Sequence, residues 1–415
     1  MKFNKAIPFF SIDCRVRDII SLTSKLLFSK KPKLEYQLSK LIGNNFPNHE
    51  ILFFPSARMA FYLTLEAQFK KGDEIIFPVL GFPLYVKIAC QLGLKVRFVD
   101  VEPEHLTLDP EQLKEKISDK TKGLVVTHLF GHPVRMDEIM SIARAADLFV
   151  IEDSAQSYDS FYQDQSTSTW GDVGIFSCSL MKVPTTLGGG ILITKDQVIH
   201  DKISERIKNP EFSDRLKDTL PYFIKNSTSI LNSYPLLYTF LSHHIFGLIK
   251  KRNPQLLRKI LYSGMGLNGV DFDVWERPKL GSYQFNFGLC QFSRTREMTE
   301  RRRFFSKILD QSMEGIEKVK IFRENENVFW NYQYHVIEVK GKMKKVFDMM
   351  FQRGFHLMQE DVWDCSAYDF TEDDDTFPVG ENANKGLIRI PNNSLLRESD
   401  IRNMSKHLRE VCSSL

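Results

Sequence analysis

The sequence predicts an α/β protein, with a mainly parallel sheet covered by helices and a smaller α+β unit after it. Three observations predict this. Between residues 50 and 195, short apolar runs alternate with amphipathic helical patterns, the signature of strands buried on both faces. After about residue 277 the pattern becomes mixed α+β. The 415 residues also exceed what one small core accommodates.

The strands are expected at Glu74–Pro78 (EIIFP), Val96–Val101 (VRFVDV), Gly123–Thr127 (GLVVT), Leu148–Glu152 (LFVIE), Ile175–Cys178 (IFSC) and Gly190–Thr194 (GILIT). Arg58–Lys71 and Met136–Ala146 read as helices between them. The resulting division is an N-terminal segment (1–49), a large domain (50–276) with a helical insertion at about 200–265, and a small domain (277–415). In the small domain we expect one long helix, Gly281–Gln311, strands near Tyr334–Val339 and Leu387–Pro391, and a closing helix, Glu398–Cys412. Between Thr219 and Val270 there is no Asp or Glu, while Lys225, Lys250, Lys251, Arg252, Arg258 and Lys259 are basic. This insertion reads either as a surface for a membrane or an anionic partner, or as packing against the sheet or a dimer mate, which is preferred.

Composition narrows the function classes. With 42% hydrophobic residues, 26% charged residues and a net charge of +4, the chain reads as globular and lacks the basic excess of a nucleic-acid binder. The six cysteines are scattered singly, and no Cys/His group has metal-ligand spacing, so no metal is expected. His243 and His244 are adjacent and face differently on a helix. Reduced cysteines fit a cytoplasmic protein. Asp13 and Arg15 interrupt the apolar stretch that a signal peptide requires.

In an α/β sheet, ligands gather at the C-terminal strand ends. Asp153, in Val150-Ile151-Glu152-Asp153-Ser154-Ala155-Gln156, follows a strand. It reads either as a helix cap or as the carboxylate that keeps a cofactor's pyridine nitrogen protonated, with Gln156 touching the ring or its 3′ oxygen. Lys182 lies between Met181 and Val183. An apolar setting lowers an ammonium pKa and suits a lysine that bonds an aldehyde as an imine; the other reading is a solvated surface lysine. Ser177 offers a hydroxyl to a phosphate, and Gly188-Gly189-Gly190 permits close backbone approach. Ser56 reads as an N-cap whose helix start, with Ala57 and Arg58, can hold a phosphate. Phe82 reads as a ring-stacking aromatic or as core. Tyr332, Tyr334 and His335 read as core strand residues, and Glu372 to Asp375 as a solvated loop. Phosphate turn, aromatic, acidic loop, serine, lysine and glycines, in that order, point to pyridoxal 5′-phosphate (PLP).

This ordered set resembles the nucleotide-sugar aminotransferases, the DegT/DnrJ/StrS-type family of PLP enzymes. The matching stretches include Gly72-Asp73-Glu74-Ile75-Ile76, Phe98-Val99-Asp100-Val101, His128-Leu129-Phe130-Gly131, Ile151 to Gln156, Gly171-Asp172 and Phe176-Ser177 through Lys182 to the glycines. Gln284, Gly288, Gln291 and Ile390-Pro391 extend it more loosely. The resemblance implies fold type I, with Lys182 as imine lysine and proton shuttle and Asp153 as partner of the pyridine nitrogen. Gln156 would contact the ring, Phe82 would stack on it, and Ser177, Ala57 and Arg58 would hold the phosphate. It further implies a homodimer and an amino transfer, usually from glutamate, to a keto sugar on a nucleotide, for polysaccharide or glycan synthesis. Dehydratases in the family are similar but carry histidine at the position of Lys182. Here the phosphate turn is Ser-Ala-Arg instead of the common Gly-Thr, and Arg277 stands where an asparagine often crosses the dimer. The rival functions are different PLP chemistry, such as elimination, or a non-catalytic regulator or scaffold of this fold.

Overall fold

The computed structural model describes residues 5–8, 11–15, 18, 31–207, 226, 229–253, 280–341, 343–359, 364–367 and 375–415. Its centre is a seven-stranded sheet built from β1 (Glu50–Phe54), β2 (Glu74–Pro78), β3 (Lys95–Val99), β4 (Thr121–Thr127), β5 (Phe149–Asp153), β8 (Val173–Ser177) and β9 (Gly190–Thr194). The order across it is β1-β9-β8-β5-β4-β2-β3. β3, β2, β4, β5 and β8 pair in parallel, while β9 is antiparallel to both β8 and β1. β9 alone therefore runs against the rest.

The six predicted strands are present within a few residues of their expected bounds, because each is a continuous apolar run. β2 and β9 are buried at every position. β1 was not anticipated; its edge position leaves most of it half-exposed, which weakens the apolar signal. The first crossover helix, Ala57–Gln68, starts where Ser56 Oγ accepts the Met59 N–H at 3.2 Å. It buries Ala60, Phe61, Leu63 and Leu65 against the sheet.

A second, antiparallel sheet has the order β10 (Val319–Ile321), β12 (His335–Val339), β14 (Leu387–Ile390), β13 (Met358–Gln359). Its core takes Phe305, Leu309, Val346, Ile401 and Leu408 from the helices Thr295–Met313, Met343–Gln352 and Glu398–Ser413. A small third sheet joins the two halves: β11 (Val328–Phe329) pairs with β6 (Phe161–Tyr162), which pairs with β7 (Gln165–Ser166).

Two expectations are corrected. The single helix Gly281–Gln311 is instead two, Ser282–Phe292 and Thr295–Met313. They serve different cores: Phe285 and Phe292 pack with Leu34 and Leu38 of the helix Lys31–Gly43, whereas Phe305 and Leu309 pack with Leu408. At the joint, Arg294 is buried and pairs with Asp18 at 2.5 Å. Of the insertion, residues 200–207 belong to the helix Gln197–Arg206, whose Ile199 and Ile203 join the core of the large sheet as expected, whereas 229–253 pack on the N-terminal segment and on His356. Thr239 Oγ1 accepts the Ala6 N–H at 2.8 Å, Ser233 Oγ accepts the Ile12 N–H at 2.7 Å, and the Tyr238 hydroxyl meets His356 Nδ1 at 2.7 Å. Beside these polar contacts, Ile230 packs with Ile12, Cys14, Tyr283 and Phe287.

Candidate active site

The expected site residues converge on one edge of the large sheet because they follow the C-terminal ends of four co-directional strands. Ser56, Ala57 and Arg58 follow β1, Phe82 follows β2, Asp153 ends β5, and Ser177 ends β8 ahead of Lys182. The reversed strand β9 closes the set. Its first residue, Gly190, pairs with Phe54 of β1 on one side and Ser177 of β8 on the other.

That register fixes the phosphate turn beside the lysine loop. Gly189 bridges Ser56, and a Cβ on Gly190 would lie 2.4 Å from the Ala57 nitrogen. Gly188 and Gly189 have φ of 129° and 125°, which L side chains rarely adopt. Hydrogen bonds from Cys178 N to Gly189 O and from Gly188 N to Cys178 O, at 2.9 and 3.0 Å, close the loop that carries Lys182. Ser177 is half-buried, and its Oγ accepts the Ser179 N–H at 3.4 Å.

Asp153 is buried, and its Oδ1 accepts the Ala155 N–H at 3.1 Å. No helix follows it, so the capping reading falls away. Among the described residues its other oxygen takes no hydrogen bond. Burial pushes this carboxyl up to about 6, opposed by the Ala155 N–H and then by the charges of Lys182 and His128. Lys182 thus lies within electrostatic reach of Asp153. Its neighbour Glu152 points to the opposite face, where it accepts N–H groups of Ser168, Trp170 and Gly171 and meets His128 Nε2 at 2.9 Å.

Lys182 is half-buried, with Nζ 5.5 Å from the centre of the Tyr334 ring. Two residues from the second half grip the loop around it. Gln333 Oε1 accepts the Val183 N–H at 3.0 Å, its Nε2 donates to Met181 O at 2.8 Å, and the Tyr334 hydroxyl donates to Met181 O at 3.4 Å. Tyr334, expected to be core, instead sits over the lysine, with the Arg389 guanidinium 3.9 Å from its ring centre. Nothing local marks Gln333 or Tyr334 as site residues; they arrive from 150 residues away.

Phe82 is half-buried and meets Tyr85 edge-on, and Tyr85 stacks on Phe61 at 4.1 Å. The Tyr85 hydroxyl is pushed well up, first by burial and then by the Asp153 charge, while half-buried Arg58 opposes the rise. These effects link the aromatic wall to Asp153 and to the phosphate turn. Gln156 is buried, with Oε1 accepting the Phe130 N–H at 3.1 Å. Cys365 N donates to Val79 O at 2.8 Å, which brings residues 364–367 over the end of β2. Gln284 Nε2 donates to Gly188 O at 3.2 Å and so supports the glycine run. Arg277 and Glu372 to Asp374 lie outside the described residues. Asp375 is exposed and pairs with Lys116 at 2.6 Å.

Residues 23–219 match the DegT/DnrJ/EryC1/StrS aminotransferase family. A GDP-perosamine synthase from Escherichia coli O157:H7 is 36% identical over 132 residues, 32% of this chain and 36% of that protein. A GDP-4-keto-6-deoxy-D-mannose 3-dehydratase from Escherichia coli O55:H7 is 34% identical over 141 residues, 34% of this chain and 36% of that one. The chain thus spans about a third of the length of these curated relatives. Among solved structures, the PLP-form of a sugar aminotransferase, Spr1654 of Streptococcus pneumoniae, superposes with a TM-score of 0.73 at 17% identity. It covers 99% of both chains and establishes the fold. That solved structure, whose fold this chain shares, holds PLP as its cofactor.

The residues present fit that cofactor by the chemistry of their donors. A capped helix start suits its phosphate, a primary amine suits its aldehyde, and the carboxylate of a buried aspartate suits its protonated ring nitrogen. Over residues 23–219, just under half of its length, this chain is similar to the DegT/DnrJ/EryC1/StrS aminotransferase family.

Proposed function

We propose that this chain is a PLP-dependent aminotransferase that moves an amino group, expected from glutamate, onto a nucleotide-linked keto sugar for polysaccharide or glycan synthesis. The observation that carries this reading is the placement of the Lys182 amine and the buried Asp153 carboxylate within electrostatic reach at one sheet edge. Bound there, the cofactor supplies an electron sink that eases loss of a proton from carbon beside nitrogen. The Asp153 carboxylate holds the proton of the ring nitrogen. Lys182 Nζ accepts and returns the migrating proton, and Gln333 holds its backbone in place. The turn from Ser56 to Arg58, with Ser177, binds the phosphate. Phe82 and Gln156 fix the ring, and Tyr85 and Phe61 back Phe82 and keep water from that side.

Residues 50–276 form the PLP-binding unit and 277–415 the smaller one, in a homodimer as the resemblance implies. All six cysteines are free thiols, which supports work in the cytoplasm. The dehydratase relative keeps elimination on a related sugar as the second reading. The amine at position 182, where the resemblance implies histidine in dehydratases, favours amino transfer.

The test is to incubate the PLP-loaded protein with glutamate and then with a panel of nucleotide-linked keto sugars. We expect glutamate alone to shift the bound cofactor's absorbance, and one sugar then to gain nitrogen by mass spectrometry. A sugar that loses water without gaining nitrogen establishes elimination instead. A chain that binds no PLP is a scaffold.

A further inference from the structure

A helix lying on a globular protein turns its apolar stripe inward. The described run Pro235–Tyr238, Thr239–His243 and His244–Arg252 instead leaves a second, large apolar stripe facing outward. Its buried residues are Pro235, Tyr238, Thr239 and Ser242, the last three hydrogen-bonded, with Phe246 half-buried against Tyr238. Facing outward are Leu236 at 62% exposure, Phe240 at 60%, Ile245 at 54% and Leu248 at 59%. The π turn Thr239–His243 explains how these positions line up. Its i→i+5 bonding adds one residue and brings Ile245 back beneath Phe240, after which Leu248 follows one α turn later. The stripe from Leu236 to Leu248 is roughly 18 Å long at the α-helical rise.

Along the sequence, the stretch that contains the stripe carries charge of one sign. No Asp or Glu occurs from Thr219 to Val270, whereas six Lys or Arg do, three of them consecutive at Lys250-Lys251-Arg252 where the last helix ends. Among the described residues no helix is long and apolar enough to cross a bilayer. A twofold contact between copies would set this cationic region against itself. We propose that this face docks on an anionic lipid surface, with Leu236, Ile245 and Leu248 sunk at the level of the headgroups and the basic run supplying attraction.

The test is sedimentation of the PLP-loaded full chain with vesicles of phosphatidylcholine, alone or mixed with phosphatidylglycerol. Binding to the mixed vesicles is expected to be at least about tenfold stronger and to weaken as salt rises. Leu236→Asp with Leu248→Asp should abolish it, with cofactor absorbance and thermal midpoint unchanged. Lys250→Glu with Lys251→Glu should weaken it. Absence of wild-type binding, equal binding to both vesicles, or binding retained by the leucine variant overturns the proposal. So does a wild-type oligomer that the leucine variant dissociates without any vesicle binding, since the occupant is then a second copy.

Discussion

Asp153 is under two opposing demands. The proposed amino transfer requires it ionised, yet its burial favours the neutral acid and lifts it from 3.8 to about 6. A carboxyl raised on folding contributes stability that is complete below its unfolded pKa and lost as pH rises through the folded one. In the cofactor-free protein at pH 8, Asp153 is therefore a cost that Asn does not carry. Asp153→Asn should raise stability in urea at pH 8 by about 3 kcal/mol, a gain that fades as pH falls through about 6 and vanishes near pH 4. The same substitution should slow amino transfer on the order of a hundredfold or more. Equal urea midpoints at pH 8, or a gain undiminished at pH 4, would contradict this account of the site. That Asp153, Ser177 and the loop of Lys182 lie at one sheet edge was legible in the sequence, because each follows a short apolar strand. Tyr334 was not, since its contact with Lys182 depends on how distant segments meet.

Among the elements, the loop between β8 and β9 carries the heaviest structural demand. Gly190 starts β9 pressed against the first residue of the helix Ala57–Gln68, and a methyl group there would collide with backbone that cannot move aside. Gly190→Ala should therefore push the phosphate turn away from Lys182 and weaken PLP retention at least about tenfold, read by equilibrium dialysis. The opposite side of the loop depends on Gln333. Gln333→Ala strands the Val183 N–H and leaves the Met181 carbonyl only the longer Tyr334 hydroxyl contact, a loss of about 1–2 kcal/mol in urea unfolding. It should also lower kcat more than it raises KM for the amino donor, because the loss is in how Lys182 is held. An effect on stability alone would give Gln333 a purely structural role. The glycine run was evident from sequence; the Gln333 clamp was not, as a glutamine preceding a strand has no distinguishing spacing. The divided helix at Ser293-Arg294 escaped notice for a similar reason. Both halves have good helical pattern, and only the partners they pack on differ.

At the scale of the whole molecule, the large sheet was readable because parallel strands buried on both faces leave unbroken apolar runs. The lacing between halves was not. The pairing of β11 with β6 involves two residues on each strand, too few to form a pattern. Yet this lacing, with Gln333 and Tyr334, completes the surroundings of a lysine that belongs to the first half. The central claim is that Lys182 is the amine that engages the cofactor opposite Asp153. The most direct measurement is borohydride reduction of the PLP-loaded protein, followed by peptide mass spectrometry to locate the modified lysine. The account predicts one pyridoxyl adduct, on the peptide containing Lys182, and none in Lys182→Ala. An adduct on any other lysine, or none in a protein that retains PLP, would contradict it.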